Sequence, residues 1–412
     1  MKAGKRMIHI LLSVTLFLWI AMSVSIYIRL TPPESVVLVA LRMPYQMFSN
    51  YLVIAGVFGV GIYVAVILIK GLKPDKYSLV LVVGVCICSI LGCVYSVRIM
   101  TQKAQISGMQ YEESERRKTH YEVTKQDLHE KFNVIQCSVS TPEGSPYSAD
   151  CVIYLNYGGW SAQDEKMGTY LEEMVTNAGY SYVRFVGIGK EQGNISDIVK
   201  SVKEGICKLV REQQYKKVVL IGGSAGGHIA LLTAFANELP DIYGESIPVD
   251  GVIALYPMTD MESAYDYFVE QAKGTSYLGK LGNRIYCGLY GNVSGTGTFA
   301  GETKKLDEAV FGVKGSEDSL YNEATVLNLV ENQNIPTLMI GGSADSMVVV
   351  EDNRELYQYM KEHGMDCAYL ELPCVEHAFD MTDNPARKRA CMEMKKWLDA
   401  VFMRMTRIVS HM

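Results

Sequence analysis

Residues 217–228, KVVLIGGSAGGH, contain the pattern that decides the fold. Their first five residues predict a buried strand, and the apolar stretch at 228–236 predicts a helix directly after it. Between the two, glycines flank Ser224 in the order G-x-S-x-G. A serine in such a turn has unusual backbone angles, and neighbouring glycines avoid the collisions that larger side chains would make. The stretch therefore predicts that Ser224 is a nucleophile at the end of a strand.

Outward from this turn, short apolar runs alternate with helical stretches. The runs predict strands at 132–139, 151–155, 182–186, 251–255, 337–340 and 368–372, and the helical spacings lie at 195–212, 351–362 and 386–402. Such alternation predicts an α/β domain whose mostly parallel sheet carries helices on both faces. About 70 residues, 261–333, interrupt it, and an insertion of that length predicts a cap over the site.

A serine nucleophile needs a general base and an acid that orients the base. His377 follows the last predicted strand closely, in a loop that can reach the serine, whereas His228 is expected to point along its helix away from it. Asp345 comes directly after a predicted strand, at the edge where sites of parallel sheets collect. Asp260 and Asp380 are its rivals. We expect Asp345 to orient His377, and Asp260 to tie down the start of the cap.

The loop at 156–160, Asn-Tyr-Gly-Gly-Trp, follows another predicted strand. A developing oxyanion needs backbone N–H donors, each worth roughly 3–4 kcal/mol when preorganised. Glycines let the main chain approach a substrate carbonyl closely. We therefore expect an oxyanion hole formed by the N–H groups of Gly158, Gly159 and Ala225.

Taken in order, four stretches of the chain resemble the α/β-hydrolase superfamily. Within it, they are similar to the hormone-sensitive-lipase-like and the acetyl-xylan or feruloyl esterase-like carboxylesterases, which carry H-G-G-G-W, G-x-S-A-G-G-H, G-x-x-D-x-x-V and a late histidine before an apolar residue and Phe. The corresponding stretches here are 156–160, 222–228, 342–348 and 377–379. The resemblance covers about residues 125–405. Asn156 and Tyr157 replace the family's His and first Gly, so the oxyanion loop is expected to differ in shape.

The resemblance implies the α/β-hydrolase fold with a Ser224–His377–Asp345 triad. It also implies hydrolysis of short acyl esters, such as acetyl esters, of a carbohydrate or another small molecule, through an acyl-enzyme and without a metal or organic cofactor. A serine peptidase or an acyltransferase on the same fold is an alternative, because transfer differs from hydrolysis only in what attacks the acyl-enzyme. A catalytically inactive binding or scaffold module is the alternative outside the enzyme class.

The first 105 residues differ sharply from the rest in charge. They carry ten basic and two acidic residues, whereas the remainder carries 29 basic and 43 acidic residues, a net charge of −14. An acidic body of this kind argues against nucleic-acid binding. The head holds three uncharged apolar runs, each long enough to cross a bilayer core of about 30 Å. They occupy residues 7–28, 51–69 and 78–97.

We therefore expect a membrane anchor of three transmembrane helices, and the lipid bilayer as its partner. A cleaved signal peptide is the competing interpretation of the first run, which is too long and lacks a small-residue cleavage site. The segment between the first two runs holds Arg42 and Pro44 and is expected to be interfacial or a loop. The predicted domains are the anchor at 1–105, a charged, partly helical linker at 106–124 and the catalytic domain at 125–412.

Positive charge near short loops marks the cytoplasmic side of a membrane. Three basic residues precede the first run, and Lys70, Lys73 and Lys76 crowd the link between the second and third. Three crossings would then place the catalytic domain outside the cytoplasm.

Overall fold

A computed structural model describes residues 2–26, 36–70, 76–111, 121–128, 136–163, 168–273, 308–331 and 333–409. The described helices are α1 (Lys2–Ser25), α2 (Val36–Lys70), α3 (Lys76–Met100), α4 (Thr169–Asn177), α5 (Ile195–Gln213), α6 (Ala225–Phe235), α7 (Pro240–Tyr243), α8 (Met261–Lys273), α9 (Val350–Glu362) and α10 (Pro385–Val409). The described strands are β1 (Gln105–Ser107), β2 (Val123–Asp127), β3 (Gln136–Pro142), β4 (Asp150–Leu155), β5 (Tyr157–Gly158), β6 (Ser161–Ala162), β7 (Ser181–Val186), β8 (Lys217–Gly223), β9 (Gly251–Leu255), β10 (Thr337–Gly342) and β11 (Cys367–Leu372).

One nine-stranded sheet forms the centre of the body, in the order β1-β11-β10-β9-β8-β4-β7-β3-β2. The six strands from β11 to β7 run parallel, while β1, β3 and β2 pair antiparallel at the two margins. Parallel strands end at a common edge, which we call the carboxyl edge. The predicted mostly parallel α/β architecture is confirmed.

Helices cover both faces of this sheet. Side chains of α5, α6 and α9, such as Ile198, Ile229 and Leu356, pack with the strands into one buried cluster. On the other face, α4 and α10 contribute Leu171 and Trp397 to a second cluster. Strands in the middle are thus shielded from water on both sides, which is why they appear in the sequence as continuous apolar runs.

The margins of the sheet differ from the sequence interpretation. The described part of the first predicted strand, 136–139, belongs to β3, whereas 132–135 lie outside the described residues. The expected linker at 106–124 has both its ends in strands, β1 and β2, and its middle, 112–120, also lies outside the described residues. β2 is exposed at every position and β1 has only three residues. Such strands have no alternation of apolar and polar residues that would distinguish them from a loop.

The head consists of α1, α2 and α3, which pack against one another. We expected three membrane-spanning helices, but only two helices of the described chain are long and apolar enough to cross, at Leu41–Lys70 and Lys76–Met100. In α1, the apolar helix found within the described residues, Leu12–Ser25, is shorter than these two. The three-span prediction is therefore corrected to two candidate spans.

The segment expected to be interfacial or a loop, 35–49, also differs from the prediction. From Val36 onward it is the start of α2, and Pro44 lies inside that helix. Arg42, Tyr45 and Gln46 are buried there. These packing contacts outweigh the unfavourable helix propensity of one proline, which local sequence alone cannot reveal.

Candidate active site

Ser224 lies in the tight turn between β8 and α6. Its backbone has φ 54° and ψ −125°, and its N–H donates to the carbonyl oxygen of Leu255 at 2.9 Å. A Cβ on Gly222 would lie 2.2 Å from the carbonyl oxygen of Gly226, and one on Gly226 would lie 2.6 Å from that of Leu155. Side chains at both positions would collide with backbone, so the turn requires these glycines.

His377 is hydrogen-bonded to both the serine and an acid. Its Nε2 lies 3.0 Å from the Oγ of Ser224, and its Nδ1 lies 2.9 Å from the Oδ2 of Asp345. The side chains of His377 and Asp345 are only 5% and 3% exposed. The structure thus brings together the three predicted triad residues, which lie far apart along the chain.

Asp345 is held in place by its other carboxylate oxygen. Oδ1 accepts hydrogen bonds from the backbone N–H groups of Met347 and Val348, both at 2.9 Å. The carboxylate therefore faces His377 with a fixed orientation. Its rival Asp260 instead accepts from the N–H of Ser263 at the start of α8, where the cap insertion begins.

The second rival, Asp380, binds two tyrosines beside these three residues. Its two oxygens accept hydrogen bonds from the hydroxyls of Tyr256 and Tyr170, each at 2.6 Å. The ring of Tyr256 packs edge-on against His377 at 4.6 Å between centroids. Burial raises the pKa of the Tyr256 hydroxyl well above its ordinary value, so this group stays a proton donor. The sequence interpretation missed Tyr256, although it directly follows a predicted strand.

The expected oxyanion donors lie around the start of α6. Gly158 belongs to the small hairpin of β5 and β6, and Gly159 has φ 52°. The close approach of Gly226 to the backbone of Leu155 and Tyr157 places this hairpin against the first turn of α6, where Ala225 begins the helix. The first N–H groups of a helix have no acceptor within it and are free to bind an anion.

Asn156 and Tyr157, which replace the family's usual residues, shape this loop from inside. The side-chain amide of Asn156 donates to the carbonyl oxygen of Gln163 at 2.7 Å. The Tyr157 hydroxyl accepts from the N–H of Gly187 at 2.8 Å. Both residues are buried, so they hold the loop and do not face an open site.

His228 has a structural environment, as expected from its place in the helix. Its Nδ1 accepts from the indole N–H of Trp160 at 3.2 Å, and its Nε2 donates to the carbonyl oxygen of Ala324 at 2.8 Å. Burial lowers its pKa to about 4, so the ring is neutral at physiological pH. It links α6 to the 156–160 loop and to the described end of the 261–333 insertion.

The loop that carries His377, residues 373–384, is bonded to the head. Arg42 of α2 donates through Nη1 to the Oε1 of Glu376 at 3.1 Å, and these side chains are 5% and 1% exposed. The N–H of Glu376 donates to the Oε1 of Gln46 at 2.7 Å. Burial raises the pKa of Glu376 to about 7, against the opposing effect of the Arg42 guanidinium. The lone charge of Arg42 in an apolar segment was the signal that such a partner exists.

Strained backbone is concentrated at this site. Six non-glycine residues of the described chain have positive φ. Five of them lie in the turn at Ser224, in the 156–160 loop, directly after β9 or in the 373–384 loop. They are Trp160, Ser224, Tyr256, Cys374 and Ala378. Strain of this kind persists where surrounding packing enforces it, and it is typical of functional sites.

The middle of the expected cap, residues 274–307, lies outside the described residues. Within the described chain, no group of three His, Cys, Asp or Glu side chains is arranged to hold a metal ion.

Comparison with known proteins supports the fold. The BD-FAE family model matches residues 138–286, which include Ser224 and the oxyanion loop but end before Asp345 and His377. Esterase B of Lactobacillus rhamnosus is similar in structure, with a TM-score of 0.52 and 16% identity, over 76% of this chain and 90% of that one. The same esterase inhibited by a tributyrin phosphonate gives a TM-score of 0.52 and 14% identity, over 82% of this chain and all of the other.

A third structure, esterase 2 of Thermogutta terrifontis, has a TM-score of 0.45 and 18% identity, over 68% of this chain and 93% of that one. No curated protein sequence matches the chain. The body of the chain has the α/β-hydrolase fold.

Proposed function

We propose that this α/β-hydrolase-fold chain is a membrane-anchored serine carboxylesterase that hydrolyses short acyl esters, acetyl esters above all, of a carbohydrate or another small molecule. One observation carries the proposal: His377 lies within hydrogen-bond distance of both Ser224 and Asp345. This is the arrangement that nucleophilic acyl transfer requires. The match of the BD-FAE family model to the segment around Ser224 supports it.

The geometry supports the following part for each residue in the first half of the reaction. The hydroxyl of Ser224 donates to Nε2 of His377, while Nδ1–H of the ring donates to Asp345, which fixes the tautomer that can accept a proton. As Oγ attacks the ester carbonyl carbon, its proton passes to Nε2. The imidazolium then donates that proton to the departing alcohol oxygen, and the acyl group remains on the serine.

The second half repeats these steps with water. His377 removes a proton from the water that attacks the acyl-enzyme, and returns it to Oγ when the carboxylic acid leaves. In both tetrahedral intermediates the negative oxygen needs N–H donors, which we assign to Ala225, Gly158 and Gly159. No step in this sequence requires a metal or an organic cofactor.

The alternatives share this machinery and differ in the acceptor or leaving group. A peptidase expels an amine in place of an alcohol, and an acyltransferase lets an alcohol replace water. An inactive scaffold has no need for a buried carboxylate and a histidine aligned on a serine, whereas an acyl-transfer enzyme depends on that alignment. The intact arrangement therefore favours an enzyme.

Turnover of a graded set of esters tests the proposal. Full-length protein in mild detergent should hydrolyse p-nitrophenyl acetate faster than the butyrate or octanoate. Ser224→Ala should reduce turnover by a factor of about 10⁴ or more. Wild-type rates no higher than those of Ser224→Ala would overturn the esterase proposal. Faster cleavage of peptide anilides would favour the peptidase, and acyl transfer to an added alcohol without release of free acid would favour the transferase.

The proposed placement of the body outside the cytoplasm rests on the two candidate spans. Lys70, Lys73 and Lys76 border the short link between α2 and α3, and this concentration of charge favours the cytoplasmic side. α3 then runs outward, and the chain leaves it on the other side of the membrane. The placement no longer depends on whether α1 crosses.

Protease treatment of intact cells tests this placement. An antibody against the body should detect cleavage before the cells are broken, while a cytoplasmic control protein stays intact. A body that is protected until lysis would contradict the placement, provided that the protease cleaves it afterwards.

A further inference from the structure

The direction of the chain relates the membrane to the active site. α3 ends at Met100, and β1 begins at Gln105 and pairs antiparallel with β11, with Gln105 opposite Tyr369 and Ser107 opposite Cys367. β1 therefore starts nearer the carboxyl edge and runs away from it. Because few residues separate α3 from β1, the head joins the body at the carboxyl edge, where Ser224 and His377 also lie.

Exposed apolar side chains mark the parts of α2 and α3 that would lie within a bilayer. On α2, residues from Arg42 to Gln46 are mainly buried, and exposed apolar residues begin at Phe48 and continue to Ile69. On α3 they extend from Leu79 to Met100. At 1.5 Å per residue both bands are about 32 Å long, the thickness of a bilayer core. The body-side boundary of the bilayer therefore lies near Phe48 and Met100.

The loop that carries His377, residues 373–384, contacts both α2 and α3 at this boundary. The Thr382 hydroxyl donates to the carbonyl oxygen of Met47 at 3.2 Å, and Arg98 lies 3.9 Å from the sulfur of Cys374. His377 lies between these two contacts along the loop. In the same loop Met381, an apolar side chain next to Thr382, is 47% exposed.

We infer that the substrate is an amphiphilic ester whose apolar tail stays in the bilayer while its ester group enters the site from the membrane surface. The inference rests on the proposed esterase function and adds the source of the substrate. A site held at the bilayer surface meets bilayer-bound molecules at a high local concentration, which a tethered enzyme exploits without further contacts. Attack by Ser224 breaks the bond between the acyl carbon and the alcohol oxygen, the lipid alcohol takes the proton from His377, and water then releases the acid.

Reconstitution in vesicles tests the inference. The probe is 1,2-di-O-hexadecyl-3-acetylglycerol, whose single ester releases acetate, in phosphatidylcholine vesicles. Full-length protein is placed either in the same vesicles as the probe or in probe-free vesicles mixed with probe-bearing ones. Turnover of p-nitrophenyl acetate normalises the amount of active enzyme, and Ser224→Ala gives the background.

Acetate release should be about tenfold faster or more when enzyme and probe share a bilayer, since the probe cannot diffuse to the site through water. Equal rates in the two arrangements, or no release in either while p-nitrophenyl acetate is hydrolysed, would overturn the inference and leave the esterase intact. Failure to hydrolyse p-nitrophenyl acetate above the Ser224→Ala background would instead overturn the proposed function on which the inference rests.

Discussion

The helical head and the sheet-based body place their apolar side chains in opposite ways. In the body, the central strands β8 and β9 are buried on both faces beneath two layers of helices. In the head, Phe17, Phe58 and Ile69 are 67–84% exposed. A continuous apolar surface of this kind is costly in water, which supports the proposed bilayer around the head, whereas the body provides its own core.

The two regions nevertheless share one loop. The loop at 373–384, which carries His377, belongs to the body. Its Glu376 is nevertheless hydrogen-bonded to Arg42 and Gln46 of the head. The two regions therefore differ in the surface they expose, but they are joined at the loop that carries His377. A change in the triad, a change in the head where it contacts this loop, and a change in the body away from both should have progressively smaller effects.

The largest effect is expected from Asp345→Asn, within the body. The asparagine keeps the shape of the acid but favours the wrong tautomer of His377, so kcat should fall by a factor of about 10³–10⁴ with little change in Tm. Asp260→Asn is the matched control, because its side chain can still accept from the N–H of Ser263. A nearly silent Asp345→Asn beside a crippling Asp260→Asn would show that the acid is misassigned.

An intermediate effect is expected from Arg42→Met, a change in the head that acts on the body. It leaves the buried carboxylate of Glu376 without its ion-pair partner, a loss that typically costs about 3–5 kcal/mol of stability. The histidine loop should shift, lowering kcat for a soluble ester roughly tenfold while KM changes little. Steady-state kinetics and thermal unfolding measure both effects.

The pH dependence of this variant distinguishes the ion pair from simple packing. Because the pKa of Glu376 is already raised to about 7 and Arg42 opposes that rise, losing Arg42 raises it further. The carboxyl is neutral and tolerated below its pKa, so the damage should be smaller at pH 6 than at pH 8. Arg42→Lys, and the double variant with Glu376→Gln, should recover much of the activity. A pH-independent loss that neither variant rescues would contradict the ion-pair explanation.

The smallest effect is expected from Asp352→Asn, in the body and away from the head. Burial raises the pKa of Asp352 to about 7, partly offset by the hydrogen bond that the Ser263 hydroxyl donates to it. The folded state then holds a proton that the unfolded chain releases, so stability falls as pH rises from about 4 to about 7. Asp352→Asn should flatten this decline in Tm, whereas Glu351→Gln, at an exposed position, should not. An unchanged slope in Asp352→Asn would argue against this assignment.

Sequence patterns predicted the core of the body better than its margins. Strands near Ser224 are buried on both faces and appear as apolar runs, so their positions could be predicted to within about two residues. β1 and β2 have no such pattern and were missed. The three residues predicted for the triad lie together because each follows a strand that ends at the carboxyl edge, a consequence of parallel topology.

Other parts of the site could not be predicted because they depend on tertiary contacts. The lone charge of Arg42 predicts a partner, but nothing local identifies Glu376, more than 300 residues later, as that partner. Nor does anything local indicate that Tyr256 packs against His377. The continuation of α2 through Pro44 has the same origin, since buried neighbours stabilise a helix that propensity alone would interrupt. These are long-range contacts, and one sequence carries no direct record of them.

The central claim is that Ser224 is a nucleophile activated by His377. Full-length protein in mild detergent can be treated with a fluorophosphonate probe, digested and mapped by mass spectrometry. We expect a single covalent adduct on Ser224, absent in Ser224→Ala and strongly slowed in His377→Ala. A wild-type protein that stays unlabelled beside a labelled control serine hydrolase, or an adduct that forms equally fast in His377→Ala, would contradict the claim.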